Sequence, residues 1–164
     1  MNTQSKKTSN LTSHTSSTDP GSVIVWSEAE TTSDRYIRRI FEDDYVELIL
    51  GDSKLSGGAY NDYIDRVKRF IYDNYKKMTT SQLRNIFARV QKIESERYYK
   101  LYLLRPKLAF IAGRSDTTNE MKTMIFLLDQ LISNVDSPEK LKQFQAFYEA
   151  VIAYHKYYGG KENE

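Results

Sequence analysis

Apolar residues recur at helical spacing along most of the chain, from residue 34 to residue 158. Leu83, Ile86, Val90 and Ile93 show the pattern, since residues three, seven and ten positions apart lie on one face of a helix. The strict alternation of apolar and polar residues that is typical of half-buried strands is nearly absent. The pattern therefore predicts an all-α protein.

Capping residues mark where several of these helices begin and end. Ser33 precedes a predicted helix at 34–50. Thr79 and Gln82 have the spacing of a capping box, in which each side chain accepts a hydrogen bond from the backbone amide of the other residue. Gly113 is expected in the left-handed conformation that often ends a helix. The further predicted helices cover 59–75, a segment from 80 that extends towards 99, and segments at 106–113, 119–133 and 138–158.

These elements predict one domain, a single compact helical bundle of five to six helices at residues 34–160. Residues 1–33 contain fifteen Ser or Thr and few apolar residues, which predicts a disordered tail. Trp26 is unusual in such a tail and can dock on the domain or on a neighbouring protein. Residues 161–164 form a short C-terminal tail.

Charge is distributed unevenly along the chain, although the net charge is only +2. Between Lys76 and Arg114 there are ten basic residues and two acidic ones. Such a basic block suits a polyphosphate partner, or it forms solvated helix faces that keep the protein soluble. Without cysteine, a secretory signal or an apolar run of about 18 residues, the protein is expected in the cytoplasm, with no membrane partner.

Residues that could carry out catalysis are scarce. The two histidines are His14, in the predicted tail, and His155, whose spacing from Tyr148 and Val151 indicates a packed side chain. No spacing of His, Asp and Glu is typical of a metal site, and there is no glycine-rich phosphate loop. An enzyme is therefore disfavoured, and no metal or cofactor is expected.

Five basic residues are the candidate RNA-binding residues. Arg84 and Lys92 lie opposite the apolar stripe of their helix, while Lys107 and Arg114 are seven residues apart and point the same way. Lys156 lies on the polar side of the last helix. If these faces form one surface, they can follow a phosphate backbone without reading bases.

Three segments resemble motifs of a known family, the small subunit of type III-A CRISPR (Csm) interference complexes. The segments are TTSQLRNI at 79–86, LLRPKLAFIAGR at 103–114 and FYEAVIAYHKYYGG at 147–160. They occur in the family's order, and Arg84, Lys107, Arg114 and Lys156 lie within them. Residues 1–33 have no counterpart in the resemblance.

The resemblance implies a small helical bundle without nuclease activity, which belongs to other subunits of such complexes. It implies target RNA and crRNA as partners, together with copies of itself and the filament subunits that hold the crRNA. Sequence is then read by guide pairing, while the protein contacts the RNA backbone. Two other functions stay open: a helical adaptor that binds only proteins, and a metal-dependent nuclease.

Overall fold

The fold is built only of helices in the part of the chain that the structure describes. It is a computed structural model that describes residues 26–51 and 55–160. Two 3-10 helices, Tyr75–Lys77 and Ser95–Leu104, flank α4. The α-helices are α1 (Glu28–Phe41), α2 (Tyr45–Leu50), α3 (Gly57–Asn74), α4 (Thr80–Gln91), α5 (Arg105–Ala112), α6 (Asn119–Ser133) and α7 (Pro138–Tyr157). The all-α prediction is confirmed, with slightly more helices than expected.

The first helix begins earlier in the chain than the predicted cap at Ser33. Ser27 is the N-cap, and its hydroxyl and the Glu30 carboxylate each accept a hydrogen bond from the other residue's backbone amide. Ser33 is buried inside α1, 3.2 Å from the Thr123 hydroxyl. Residues 28–33 are therefore helical, which corrects the tail prediction there. The rest of the predicted N-terminal tail, residues 1–25, and the C-terminal tail lie outside the described residues.

The single helix predicted at 34–50 is divided into α1 and α2. Glu42 interrupts it with a φ of 72°, while its amide still donates to the Arg38 carbonyl at 2.8 Å. The buried Asp34 carboxylate accepts hydrogen bonds from Arg38 Nε at 2.7 Å and from the Tyr45 hydroxyl at 3.1 Å. Burial and the Asp34 charge raise the pKa of Tyr45. This network connects the start of α2 to α1.

Three local predictions about helix ends are wrong. Thr79 precedes α4, but its hydroxyl donates to Gln82 Oε1 at 2.8 Å, so the capping box does not form. Gly113 has a φ of −77° and is not left-handed. The left-handed glycine is Gly159, with a φ of 81°, shortly after the end of α7. The helix predicted to extend towards 99 ends at Gln91 and gives way to the second 3-10 helix.

The core lies between α6 and α7 and the helices around them. One side of α7 packs against α2, α3, α4 and the second 3-10 helix, while α6 packs against α1 and α5. Trp26 meets Phe126 of α6 edge-on, with ring centroids 5.4 Å apart, so it docks on its own domain. The largest fully buried side chains include Phe41, Phe70, Phe144, Phe147 and Tyr148.

Replacing Phe41 should destabilise the fold, because its ring is fully buried against Phe70 and Phe147. We expect Phe41→Ala to lower the free energy of unfolding by about 3–5 kcal/mol. Phe110→Ala is the matched control, since Phe110 is 74% exposed and its replacement should cost no more than about 0.5 kcal/mol. Urea unfolding followed by circular dichroism measures both variants. Equal effects would contradict this assignment of the core.

Candidate RNA-binding surface

His155 joins the end of α7 to the start of α4. Its ring is 1% exposed, with Nε2 3.1 Å from the Met78 carbonyl and 3.2 Å from the Tyr75 carbonyl. Nδ1 lies 3.4 Å from the Thr80 hydroxyl. Because carbonyls only accept hydrogen bonds, Nε2 carries a hydrogen, and Nδ1 is within hydrogen-bond distance of Thr80. The prediction of a packed histidine is confirmed, and both ring nitrogens have structural partners.

Gly160, in the glycine pair after α7, packs over the same ring. Gly159 takes the left-handed conformation that turns the chain, and the Gly160 amide then donates to the His155 carbonyl at 2.9 Å. A Cβ atom at Gly160 would lie 2.0 Å from Cε1 of His155, far inside van der Waals contact. The two glycines therefore serve a turn and a close approach, not a phosphate loop.

Antiparallel packing of α4 on α7 places the first and third motifs side by side. The Tyr148 hydroxyl donates to the Leu83 carbonyl at 2.9 Å, and the Gln145 amide donates to the Val90 carbonyl at 3.2 Å. The Phe87 ring stacks on Tyr148 with centroids 5.0 Å apart. Residues 79–86 thus lie along the end of α7 that contains His155.

The second motif reaches the same end of the bundle through the segment between α5 and α6. The Thr118 hydroxyl donates to the Lys77 carbonyl at 2.6 Å, and Lys77 Nζ lies 3.4 Å from Glu120. Thr117 donates to the Ile111 carbonyl of α5 at 2.6 Å. The first and third motifs therefore meet at His155, while the segment that follows the second motif contacts the chain beside them at Lys77. We call this region the His155 end of the bundle.

The five candidate residues are all exposed, but they do not lie together. Arg84 lies one turn into α4, Lys156 lies in the last turn of α7, and Arg114 follows α5, so these three belong to the His155 end. Lys107 lies about 10 Å from Arg114 at the rise of an α-helix. Lys92 follows the last residue of α4, about 18 Å along the axis from the helix start and towards the opposite end.

Acidic neighbours reduce the charge of the basic block. Arg114 makes a two-pronged pair with Asp116, at 3.0 Å from Nε and 2.8 Å from Nη2, and does not cap α5. These hydrogen bonds lower the pKa of Asp116. Lys92, Lys107 and Lys156 form no ion pair with another described residue. The other paired bases of the block include Lys77 with Glu120, Arg97 with Glu94, and Arg105 with Asp129.

Comparison with known proteins identifies the family. A family model described as Csm2 type III-A matches residues 59–161 of this chain. The chain belongs to the Csm2 type III-A family. A protein of Streptococcus thermophilus, named "CRISPR system Cms protein Csm2", is 28% identical over an alignment that covers 61% of this chain and 93% of the relative. No solved structure matches.

Membership of the Csm2 family makes the chain a structural subunit of the type III-A CRISPR complex, which confirms the resemblance found in the sequence. The matched residues contain nearly all of α3, the whole of α4 to α7 and all five candidate residues. Helices α1 and α2 precede the match. They form an N-terminal part of the bundle outside the matched residues.

Two surface features of this Csm2 family member depend on how its helices pack. The sequence predicts tyrosine-rich contact surfaces that include Tyr157 and Tyr158, but not their contacts with α3. Tyr72, Tyr75, Tyr157 and Tyr158 form a cluster of rings at the His155 end, with Lys76 beside it. The local signal was the spacing of Tyr72 and Tyr75, one helical turn apart and directly before Lys76. Their meeting with α7 had no local signal, because it depends on how the helices pack.

The second feature is an apolar stripe that the second 3-10 helix and α5 expose. Leu103 is 71% exposed and Phe110 is 74% exposed. Lys107 lies between them in sequence, and no acidic residue occurs from 97 to 115. Exposed apolar side chains of this size are typical of protein interfaces when they occur together.

The other surface features of the described residues do not favour binding of a polyanion or a metal ion. The groove between α1 and α3 is lined by both signs of charge, including Arg39, Arg66, Asp62 and Asp65, which does not favour a polyanion. No group of three or more His, Asp or Glu residues within 26–51 and 55–160 could hold a metal ion. None of the helices described is long and apolar enough to cross a membrane.

Gly160→Ala should lower the free energy of unfolding by about 1–3 kcal/mol, because the new methyl group overlaps the His155 ring. Gly57→Ala is the matched control, since nothing lies within 4 Å of a Cβ atom at Gly57 in the first turn of α3. Thermal unfolding of both variants is the measurement. In the background of His155→Ala, the cost of Gly160→Ala should largely disappear, and an unchanged cost would contradict the contact.

Proposed function

We propose that this subunit binds RNA without catalysing a reaction, lining the crRNA and target RNA and contacting their backbone without sequence specificity. The observation that supports the proposal is the side-by-side packing of the two motifs that contain Arg84 and Lys156. Arg114, which follows Lys107 on α5, precedes the segment that reaches the same end through Thr118. Lys92, at the opposite end of α4, is a weaker candidate.

The chemistry of these side chains suits a phosphate backbone. Arg and Lys carry long, flexible stems whose charged groups follow phosphates in either strand, and such contacts contain no sequence information. In an RNA-guided complex, sequence is read by pairing with the guide. Backbone contact by a subunit is therefore compatible with any target. The pairing of Arg114 with Asp116 leaves donors of the guanidinium available, because that group has five N–H donors.

A non-catalytic role agrees with the structural contacts of His155, the one histidine among the described residues. Both ring nitrogens of His155 are engaged, with backbone carbonyls around the first 3-10 helix and with Thr80, so the ring is a structural link. No metal or cofactor takes part in the proposed role. We place this role in the cytoplasm, where crRNA and target RNA are found together.

The proposed protein partners are other subunits of the Csm complex, namely copies of this subunit and the filament subunits that hold the crRNA. The exposed stripe of Leu103 and Phe110 supports such contacts. The same stripe supports the second candidate function, a helical adaptor that joins proteins and does not touch RNA. The two candidates differ in what the basic residues do.

Removing Arg84, Lys107 and Arg114 together tests RNA binding. We expect the triple alanine variant to bind a labelled RNA duplex more weakly at every sequence, because a protein that neutralises fewer phosphates releases fewer counterions. The plot of log affinity against log salt should become shallower by up to about one unit for each phosphate that is no longer neutralised. Fluorescence anisotropy of the full chain over a salt series measures both quantities.

A control variant removes the same number of charges elsewhere. Arg35 and Arg39 are exposed on α1, and Lys142 is exposed near the start of α7, away from His155. Their replacement by alanine should leave the salt slope near that of the unmodified protein. Circular dichroism establishes that both variants keep their helical content. If the first triple variant binds with unchanged affinity and slope, its residues do not contact RNA and the adaptor function is favoured.

Replacing the apolar stripe tests the protein contacts. We expect Leu103→Ser with Phe110→Ser to weaken assembly into the Csm complex about tenfold or more, since truncating a central apolar anchor typically costs about 2 kcal/mol. The measurement is the yield of tagged subunit recovered with the other subunits. Tyr60→Ser, on the exposed start of α3, is the control. Assembly equal to that of the control would remove this stripe from the interface.

A further inference from the structure

Four tyrosine rings form one cluster where α3 and α7 end. Tyr158 is half-buried at its centre, with ring centroids 5.2 Å from Tyr72, 5.8 Å from Tyr75 and 5.1 Å from Tyr157. The rings of Tyr72 and Tyr157 both stand edge-on to Tyr158, at 68° and 75°. Edge-to-face contacts stabilise a ring orientation, so the two outer rings are held in place by the central one.

The outer rings nevertheless remain open. Tyr72 is 58% exposed and Tyr157 is 76% exposed, the largest exposed fraction among the large apolar side chains of the described residues. Burying an aromatic ring is favourable, and the domain itself covers each of these rings only in part. Two held rings with open faces form a preorganised surface, and little conformational entropy is given up when a partner covers it.

Unpaired ammonium groups border the same rings. Lys156 directly precedes Tyr157 and is exposed, and Lys76 directly follows Tyr75 with its Nζ 5.9 Å from that ring. Neither lysine forms an ion pair with another described residue. The nearest acidic side chain in sequence, Asp73, is engaged by Arg69 at 2.9 Å. The cluster therefore combines open π-faces with positive charge.

We propose that Tyr72 and Tyr157 form a stacking platform for unpaired nucleotides of a bound RNA strand, with Lys76 and Lys156 contacting the flanking phosphates. The proposal rests on the proposed RNA-binding function and adds a second kind of contact to it. Aromatic rings bordered by cations are the usual means by which proteins bind single strands irrespective of sequence. Bases within a duplex already stack on each other, so only unpaired nucleotides can use the platform.

An RNA partner agrees better with this cluster than a protein partner does. The cluster lies at the His155 end, continuous with Lys156 and with the proposed backbone contacts. Its neighbouring free charges are all positive, which complements phosphate. An exposed aliphatic side chain of the kind that typically accompanies an apolar protein interface is found elsewhere, at Leu103 on the second 3-10 helix.

The test separates stacking from charge. The full chain is titrated over a salt series into a labelled RNA duplex, with and without a single-stranded extension. We expect Tyr72→Ala with Tyr157→Ala to reduce affinity for the extended RNA by about five- to hundredfold at every salt concentration. The salt slope should stay unchanged, because every basic side chain that binds phosphate is still present. Affinity for the blunt duplex should also stay unchanged.

Conservative and remote variants serve as controls. Tyr72→Phe with Tyr157→Phe keeps both rings and should bind as the unmodified protein does, while Tyr99→Ala removes an exposed tyrosine on the second 3-10 helix and should have no effect. If the double alanine variant binds extended RNA normally, or if it fails to assemble with Csm subunits but still binds RNA, the platform proposal is overturned. The proposed function fails separately, when the basic triple variant leaves affinity and slope unchanged.

Discussion

The buried side of α7 is the constraint on which the rest of the fold depends. It supplies Phe144, Phe147 and Tyr148 to the core and contacts four other elements. Two of its buried residues are polar, and both hydrogen-bond to backbone carbonyls of the neighbouring segment: Tyr148 to Leu83 and His155 to Met78. A buried polar group without a partner costs about 1–3 kcal/mol, so a shift of α4 along α7 would forfeit both bonds. The register of the two helices, and with it the contact between the first and third motifs, is fixed in this way.

Long helices with complete local signals could be predicted closely from the sequence. α6 and α7 have the expected bounds because Thr118 and Ser137 accept hydrogen bonds from backbone amides in the first turns, and a proline opens α7. The break at Glu42 could not be predicted, since neither glycine nor proline marks it. That left-handed backbone is compatible with the fold because Arg66 of α3 donates to the Ile40 carbonyl and to the Glu42 carboxylate, interactions that exist only after folding.

For the candidate RNA-binding surface too, some features could be predicted from the sequence and others could not. The exposure of the basic side chains could be predicted from the sequence, because it follows from their helical spacing. Their charge environment was not predictable, because partners such as Asp116, Glu120 and Asp129 come after the basic block and reach it through turns and helix packing. The tyrosine cluster had even less local signal, since Tyr72 and Tyr158 are far apart in the sequence and meet only because α3 packs on α7. The sequence was therefore sufficient to identify the candidate side chains, whereas the residues that contact them depend on the tertiary structure.

The place of α1 has a consequence for how the family's domain can vary. This helix precedes the residues that the family shares, yet it packs on α6, beside the Trp26 contact to Phe126, and places Phe41 against Phe70 and Phe147. A chain trimmed to the shared region would open this part of the core to water. A relative without an equivalent of α1 has to close the same surface with other residues or with a neighbouring subunit. If the covering helix belongs to the same chain, this surface is buried when the domain folds. If it belongs to a neighbouring subunit, the surface is buried only when the complex assembles.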